Sequence, residues 1–185
     1  MFFSNSTIIV RINNTDMEKV LKNFSFFEES GIKNHSRKFY SINFYDNERK
    51  DIGEIHYTNS FEYGKMNVIN FIRKSNLFFL FTSSIQHSKF FKKIITQMTN
   101  DKVSFDIVKI PLSSDCGVYP EVENFNVMAT DNVFGIIGTL SFKGVPYLIK
   151  IYSNGLITFP FTNNLELIEE VISTSLQILK YYDRI

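Results

Sequence analysis

The most regular pattern of apolar and polar residues lies between Val145 and Tyr182, where the apolar spacing changes from that of strands to that of a helix. Two apolar stretches flank the polar triplet Ser153-Asn154-Gly155, which predicts a β-hairpin with a type I′ turn. The triplet Thr162-Asn163-Asn164 then offers N-capping side chains. After it, apolar residues recur at three- and four-residue steps from Leu165 to Leu179. This stretch therefore predicts a hairpin followed by a long amphipathic helix.

The rest of the chain shows short apolar stretches separated by turn-forming residues. The predicted strands are 7–12, 38–45, 52–58, 66–72, 77–82, 103–112, 124–130, 134–142, 147–152 and 156–161. Helical spacing predicts a helix from Met17 through Phe27 that ends at Gly31, and a second helix over 86–98. Ser113–Pro120 is rich in Gly, Pro, Asp and Ser, which predicts a loop between two halves.

An internal repeat is indicated by Ile72–Thr82 and Ile151–Thr162, which share the order strand, polar turn, strand, capping residues and helix. The alternative is that any two such segments of a Phe-rich chain look alike. The repeat predicts a first half at 1–100, a connecting segment at 101–123 and a second half at 124–185. The predicted fold is α+β, with an antiparallel sheet, long helices on one face and two pseudo-repeated halves. The other sheet face would be open, and an open face with aromatic residues needs a partner to cover it.

Composition limits the class of protein. Apolar residues make up 44% of the chain, with 20 Phe, nine Tyr and no Trp. Codon bias in an AT-rich genome explains most of the Phe, and the alternative is that some exposed Phe are contact residues. A net charge of +1 carries no polyanion-binding signature by itself. A single cysteine, Cys116, excludes an internal disulfide framework, and with no signal peptide or membrane span we expect an intracellular protein.

Residue patterns for catalysis or metal binding are missing from the sequence. His35, His56 and His87 are scattered, so no zinc site is expected. Cys116 has no local frame for a nucleophile, and there is no phosphate-binding glycine loop. We therefore expect a non-enzymatic protein without a metal or cofactor.

One basic cluster stands out in the first half. Lys89, Lys92 and Lys93 share a predicted helix with His87, and Arg73-Lys74 lies in the turn before it. This cluster either binds phosphates or an acidic partner, or is an ordinary solvated helix face.

Three short motifs resemble the TATA-box-binding protein family, whose divergent viral members look closer than its cellular ones. Lys150-Ile151-Tyr152, Ser153-Asn154-Gly155-Leu156 and Ile157-Thr158-Phe159-Pro160 are similar to a family strand ending Leu-Ile-Phe, a Ser-Ser-Gly-Lys turn and the next strand. Asn126–Thr130 is similar to the first strand of a family repeat. The resemblance covers about sixty residues well and the others by topology only. Thr130–Phe134 leaves no room for the family's helix between its first two strands.

The resemblance implies a saddle-shaped sheet that binds the minor groove of AT-rich double-stranded DNA. It also implies a transcription initiation factor, with other transcription-factor or polymerase subunits as partners. Such a factor acts in the nucleus, or in the cytoplasm if it is viral. The DNA-contacting residues implied by the match, the last three through the repeat, are Asn126, Met128, Phe134, Lys150, Tyr152, Thr158, Pro160, Arg73, Phe79 and Phe81.

Two other functions are open. The first is a non-enzymatic protein-interaction module that binds a larger partner, such as a subunit of a transcription complex or of a viral or host complex. The near-neutral charge favours it, because DNA-binding proteins cluster positive charge. The second is a small-ligand binder with an Asn- and Tyr-rich cavity between helix and sheet.

Overall fold

The computed structural model describes residues 2–22, 27–30, 39–58, 66–99, 103–109, 121–131 and 135–182. Its elements are β1 (Ser4–Asn13), α1 (Met17–Lys22), β2 (Phe27–Ser30), β3 (Phe39–Phe44), β4 (Ile52–Thr58), β5 (Asn67–Lys74), β6 (Leu77–Phe81), α2 (Ser88–Met98), β7 (Ser104–Ile107), β8 (Phe125–Asp131), β9 (Gly135–Phe142), β10 (Val145–Tyr152), β11 (Leu156–Thr162) and α3 (Leu165–Tyr181). The chain forms two compact units, unit 1 (Met1–Ile8 and Ile107–Ile185) and unit 2 (Ile9–Asp106).

Unit 2 is built on an antiparallel meander in which each strand from β2 to β6 pairs with the next. The part of β1 in this unit follows β6 in the sheet. Aromatic contacts attach α2 to one face of the sheet. The Phe90 ring stacks on Tyr57 with centroids 3.8 Å apart, and Phe91 lies 4.7 Å from Phe78. The core of unit 2 therefore includes several aromatic side chains, which accounts for part of the high Phe content.

Unit 1 has a second antiparallel meander, from β8 to β11, and the first residues of β1 pair with β11. Helix α3 contacts β9 and β11. The sheet residues that alternate toward the core are Ile136, Leu140, Ile149, Ile151, Ile157 and Phe159, all buried. The core face of α3 is Leu167, Ile168, Val171, Ile172, Ile178 and Leu179, also buried. Burial of these two apolar sets against each other stabilises the unit.

The predicted α+β class with antiparallel sheet is confirmed, while the helices are shorter than expected. Within the described ranges they span six, 11 and 17 residues. Asn164 is the N-cap of α3, as predicted, and its side chain accepts hydrogen bonds from the amides of Glu166 and Leu167. The predicted loop at Ser113–Pro120 lies outside the described residues.

Two local predictions are wrong. The first predicted helix ends early, because Phe27–Ser30 forms β2 and pairs with β3. Apolar residues near the end of a short helix cannot show whether the next segment pairs with a strand. The Ser153-Asn154-Gly155 turn is not type I′, since only Gly155 has positive φ, at 94°. It is a three-residue loop that closes with a glycine, whereas the hairpin between β9 and β10 turns on Lys143 and Gly144, both with positive φ.

Candidate interaction surface

The sheet of unit 1 presents one face that α3 does not cover. Lys150 of β10 pairs directly with Thr158 of β11 and with Ile137 of β9. Directly paired residues lie on the same sheet face, and alternate residues along a strand share it. We call this surface the open face. It consists of Asn126, Ala129, Ile137, Thr139, Leu148, Lys150, Tyr152, Thr158 and Pro160.

Exposure differs sharply between the two faces of the same strand. Leu148 is 44% exposed on the open face, whereas its neighbour Ile149 on the α3 face is 1% exposed. Asn126 and Pro160 are also exposed, and Lys150, Tyr152 and Thr158 are partly exposed. The open face therefore combines apolar and hydrogen-bonding side chains on an antiparallel sheet.

Gly135 of β9 pairs directly with Tyr152 of β10, and it allows the two backbones to lie close together at this pair. Its φ is +123°, and an added Cβ would lie 1.8 Å from the carbonyl oxygen of Ile151 and 2.9 Å from the Tyr152 Cα. Only glycine fits this position. Because no side chain stands opposite, the Tyr152 side chain keeps its access to solvent.

The seven contact residues predicted in the second half divide into three groups. Five of them, Asn126, Lys150, Tyr152, Thr158 and Pro160, lie together on the open face. Met128 is 62% exposed but sits at an irregularity of the β8–β9 register. Phe134 lies outside the described residues. The open face also contains apolar residues that the sequence motifs did not single out, among them Leu148 and Ile137; the strand alternation was the only signal that could have found them.

The three residues predicted from the first half, Arg73, Phe79 and Phe81, are buried, with exposures of 2%, 0% and 7%. Arg73 pairs with Phe78, so it lies on the opposite face of the sheet from Phe79 and Phe81. Contacts of these residues with DNA stay a prediction. Since they are neither exposed nor on one face, they are not part of the open face.

Arg73 is held inside unit 2 by an ion-pair and hydrogen-bond network. Its guanidinium donates to Glu18 Oε1 at 2.6 Å and to Asp51 Oδ1 at 2.9 Å. Lys50, also buried, donates from Nζ to the carbonyl oxygen of Leu21 at the end of α1. Both cations border a cleft of about 390 Å³ between α1 and the β3–β4 turn. Its lining is largely charged rather than rich in Asn and Tyr.

A second polar cluster lies in unit 2. The Tyr45 hydroxyl donates to Glu54 Oε2 at 2.7 Å and is 2.9 Å from Asn70 Oδ1. His56 Nε2 lies 3.1 Å from Glu54 Oε1. Burial, and then the hydrogen bond and negative charge of Glu54, raise the pKa of Tyr45 well above its usual value. Tyr45 is therefore a neutral hydrogen-bond donor at physiological pH.

Formal charge is unequally divided between the units. Unit 1 has five basic and eight acidic residues, for a charge of −3, and unit 2 has 15 basic and 11 acidic residues, for +4. Among the nine residues named for the open face, Lys150 is charged, and Asp131 of β8 occupies a position on the same face because it pairs with Gly135. The open face thus belongs to the unit with the less favourable charge for binding phosphates.

No known protein family, curated protein or solved structure matches this chain. Among the residues that the structure describes, no three His, Cys, Asp or Glu side chains are grouped so that they could hold a metal ion. Across those same ranges, no helix is both long enough and apolar enough to cross a membrane.

Proposed function

We propose that the chain is a protein-interaction module whose open face docks a segment of another protein. The observation that carries this proposal is the difference between the two faces of one ordered sheet, with Leu148 exposed beside buried Ile149. Leu148, Ile137 and Pro160 supply apolar contact area, and Tyr152 adds a large ring with a polar end. Tyr is enriched at protein interfaces, and charged residues are depleted from their cores.

The charge of unit 1 indicates the chemistry of the partner. A unit with a formal charge of −3 attracts a basic surface and disfavours contact with unit 1 of a second copy. The docked segment is therefore apolar at its centre, with basic residues around it. We expect it to come from a different protein.

Site-specific photocrosslinking tests this docking. A photoreactive amino acid at position 148 should crosslink a partner that the same group at Gln177, exposed on α3, does not. The crosslinked partner, once purified, should bind the wild-type chain and lose at least about tenfold in affinity to Leu148→Asp, since a buried unpaired charge costs more than 1.4 kcal/mol. Equal crosslinking from both positions, or unchanged affinity of Leu148→Asp, would refute the proposal.

A second candidate is minor-groove binding of AT-rich double-stranded DNA by a divergent TATA-box-binding-protein-like transcription initiation factor. The observation that favours it is that five residues chosen from the family resemblance converge on the open face. Each unit also contains a four-strand antiparallel meander followed by a helix, β3–β6 with α2 and β8–β11 with α3, which supports a pseudo-repeat. DNA binding is the second candidate, after protein docking, because unit 1 is negatively charged and because Arg73, Phe79 and Phe81 are buried.

Gel-shift assays at two salt concentrations separate the candidates. Minor-groove binding through the open face requires that Tyr152→Ala and Lys150→Gln weaken binding to an AT-rich duplex more than to a GC-rich duplex. Equal effects on both duplexes would exclude this candidate, because the minor groove distinguishes A·T from G·C pairs. The crosslinking result with the protein partner would not change.

A further inference from the structure

We propose that a stacked pair of exposed phenylalanines in unit 1 docks a proline-rich segment of another protein. Phe3 is 62% exposed and Phe161 is 70% exposed. Among the Phe side chains whose burial the structure describes, these two are the most exposed, and the fold brings them into contact with each other. We call them the Phe3–Phe161 pair. The pair contains none of the residues of the open face, and the inference does not depend on the proposed function.

The two rings form one continuous apolar surface. Their centroids lie 5.2 Å apart, and their planes are inclined to each other by 10°. Near-parallel rings at this separation are offset, which is a preferred arrangement of aromatic side chains. Each ring therefore holds the other in place, while most of both side chains still meets solvent. A ligand that covers the pair removes this apolar area from water, which favours binding.

An irregularity in the pairing of β1 with β11 lies at Phe161. Ser6 of β1 pairs with Thr158 of β11, and two positions earlier Ser4 pairs with Thr162. Two steps along β1 therefore match four steps along β11, and Phe161 lies in the bulged interval. The Ser4 hydroxyl supports the irregularity, because it donates to the carbonyl oxygen of Ser6 at 2.9 Å and accepts from the Ser6 amide at 3.3 Å. Bulges re-aim side chains and are common next to functional sites.

The two segments that carry the rings are uncharged. Residues 2–10 and 151–165 contain no Asp, Glu, Lys, Arg or His. Glu166, which follows the second segment, forms an ion pair with Lys143. Binding to nucleic acid or to an acidic membrane depends on clustered basic residues, which these segments do not supply. The complementary ligand is therefore uncharged where it meets the pair.

A hydrogen-bond donor accompanies the rings. Exposure alternates over residues 2–6, and the exposed positions are Phe3 and Asn5. Alternate residues of an extended chain lie on the same side, so the Asn5 side chain shares the solvent side with the Phe3 ring. Its amide nitrogen can donate to a carbonyl oxygen of the ligand.

The place of the pair in the sheet indicates which form of peptide fits. Strand β11 lies between β1 and β10, so a partner cannot dock by adding a strand beside it. A proline-rich segment in the polyproline II conformation docks onto aromatic surfaces instead, and its preformed backbone loses little entropy on binding. Its carbonyl groups make no internal hydrogen bonds, so they are available to Asn5.

The test is the fluorescence anisotropy of a fluorescein-labelled decaproline peptide titrated with the full chain. A Gly-Ser peptide of equal length with the same label is the reference, and it should bind at least about tenfold more weakly. Phe3→Ala and Phe161→Ala should each lower the affinity for decaproline at least about tenfold, because loss of one ring also frees the other from its stack. Phe161→Tyr keeps the ring and should bind like the wild-type chain. The matched control Tyr181→Ala removes an exposed ring from an edge-to-face pair at the end of α3, and it should leave binding unchanged.

Outcomes of two kinds would overturn the inference. The first kind is equal affinity for the two peptides, or equal losses in Phe161→Ala and Tyr181→Ala. The second kind is evidence of a different occupant: tighter binding of a maltooligosaccharide, Phe161-dependent binding to phosphatidylcholine vesicles, or a dimer that Phe161→Ala dissociates. Circular dichroism checks folding, which substitutions at exposed positions should leave unchanged. Leu148→Asp should keep wild-type binding to decaproline, so failure of the open face and failure of the Phe3–Phe161 pair are distinguishable.

Discussion

Replacement of Arg73 by Met is expected to destabilise unit 2 by several kcal/mol. The Arg73 side chain is 2% exposed. Its guanidinium donates to the carbonyl oxygens of Lys50 at 3.1 Å, Ser75 at 3.1 Å and Arg49 at 3.2 Å. Methionine keeps the apolar stem and removes every donor. Each of these bonds contributes about 1 kcal/mol, so their loss costs about 3 kcal/mol.

The two carboxylates add less to this cost. Glu18 and Asp51 have side-chain exposures of 65% and 48%. When the guanidinium is absent, water can solvate both groups, and exposed ion pairs contribute at most about 1 kcal/mol. The expected total is about 3–4 kcal/mol, a large share of the roughly 5–15 kcal/mol that stabilises a folded domain.

Urea unfolding followed by circular dichroism measures this change, and hydrogen exchange in peptides from β4 and β5 locates it in unit 2. Lys19→Met is the control, because that side chain is 86% exposed and its loss should cost less than about 1 kcal/mol. A loss below about 1 kcal/mol for Arg73→Met, combined with weaker binding to DNA, would show that Arg73 is a contact residue rather than a structural one.

Three further predictions follow from single positions. Gly135→Ala should lower the free energy of unfolding in urea far more than Gly144→Ala. A Cβ at Gly135 would lie 1.8 Å from a backbone oxygen, whereas a Cβ at Gly144 would have nothing within 4 Å. Similar losses in the two variants would contradict this packing argument. Asn164→Ala should cost about 1 kcal/mol through the lost N-cap of α3, and Asn164→Asp should restore it. The raised pKa of Tyr45 means that the stability it contributes is complete below its usual value near 10 and is lost as pH rises through the raised value. Stability should therefore fall above about pH 10, less so in Tyr45→Phe, and an equal fall in both proteins would argue against the role of this phenol.

Local sequence determined most of the secondary structure. Alternation and turn chemistry placed β3, β4 and β9–β11, and the capping triplet placed the start of α3 at the residue after Asn164. These features depend on side chains within a few positions of each other. The predicted end of the first helix was wrong because β2 forms by pairing with β3. The residues of β3 lie too far along the chain for local spacing to reveal that pairing.

Lys150, Tyr152, Thr158 and Pro160 were named from the family resemblance, and their contact with DNA stays a prediction. Their position on one face follows from β10 and β11 themselves, since side chains on a strand alternate between faces whatever the partner strand is. The same rule could not show whether a face is covered. Phe79 and Phe81 have the spacing of contact residues and are buried, and Arg73 lies across the sheet from them.

The sequence by itself determined the α+β class, the hairpins and the amphipathic helices, because each depends on residue type and short-range order. The tertiary structure decided which of those residues meet solvent. Burial depends on contacts with segments that are far apart in the chain, so an aromatic residue shows the same local pattern whether it is buried or exposed. In this protein those contacts leave Leu148 exposed and bury Phe79. They also define two units, an acidic unit with the open sheet face and a basic unit with exposed lysines.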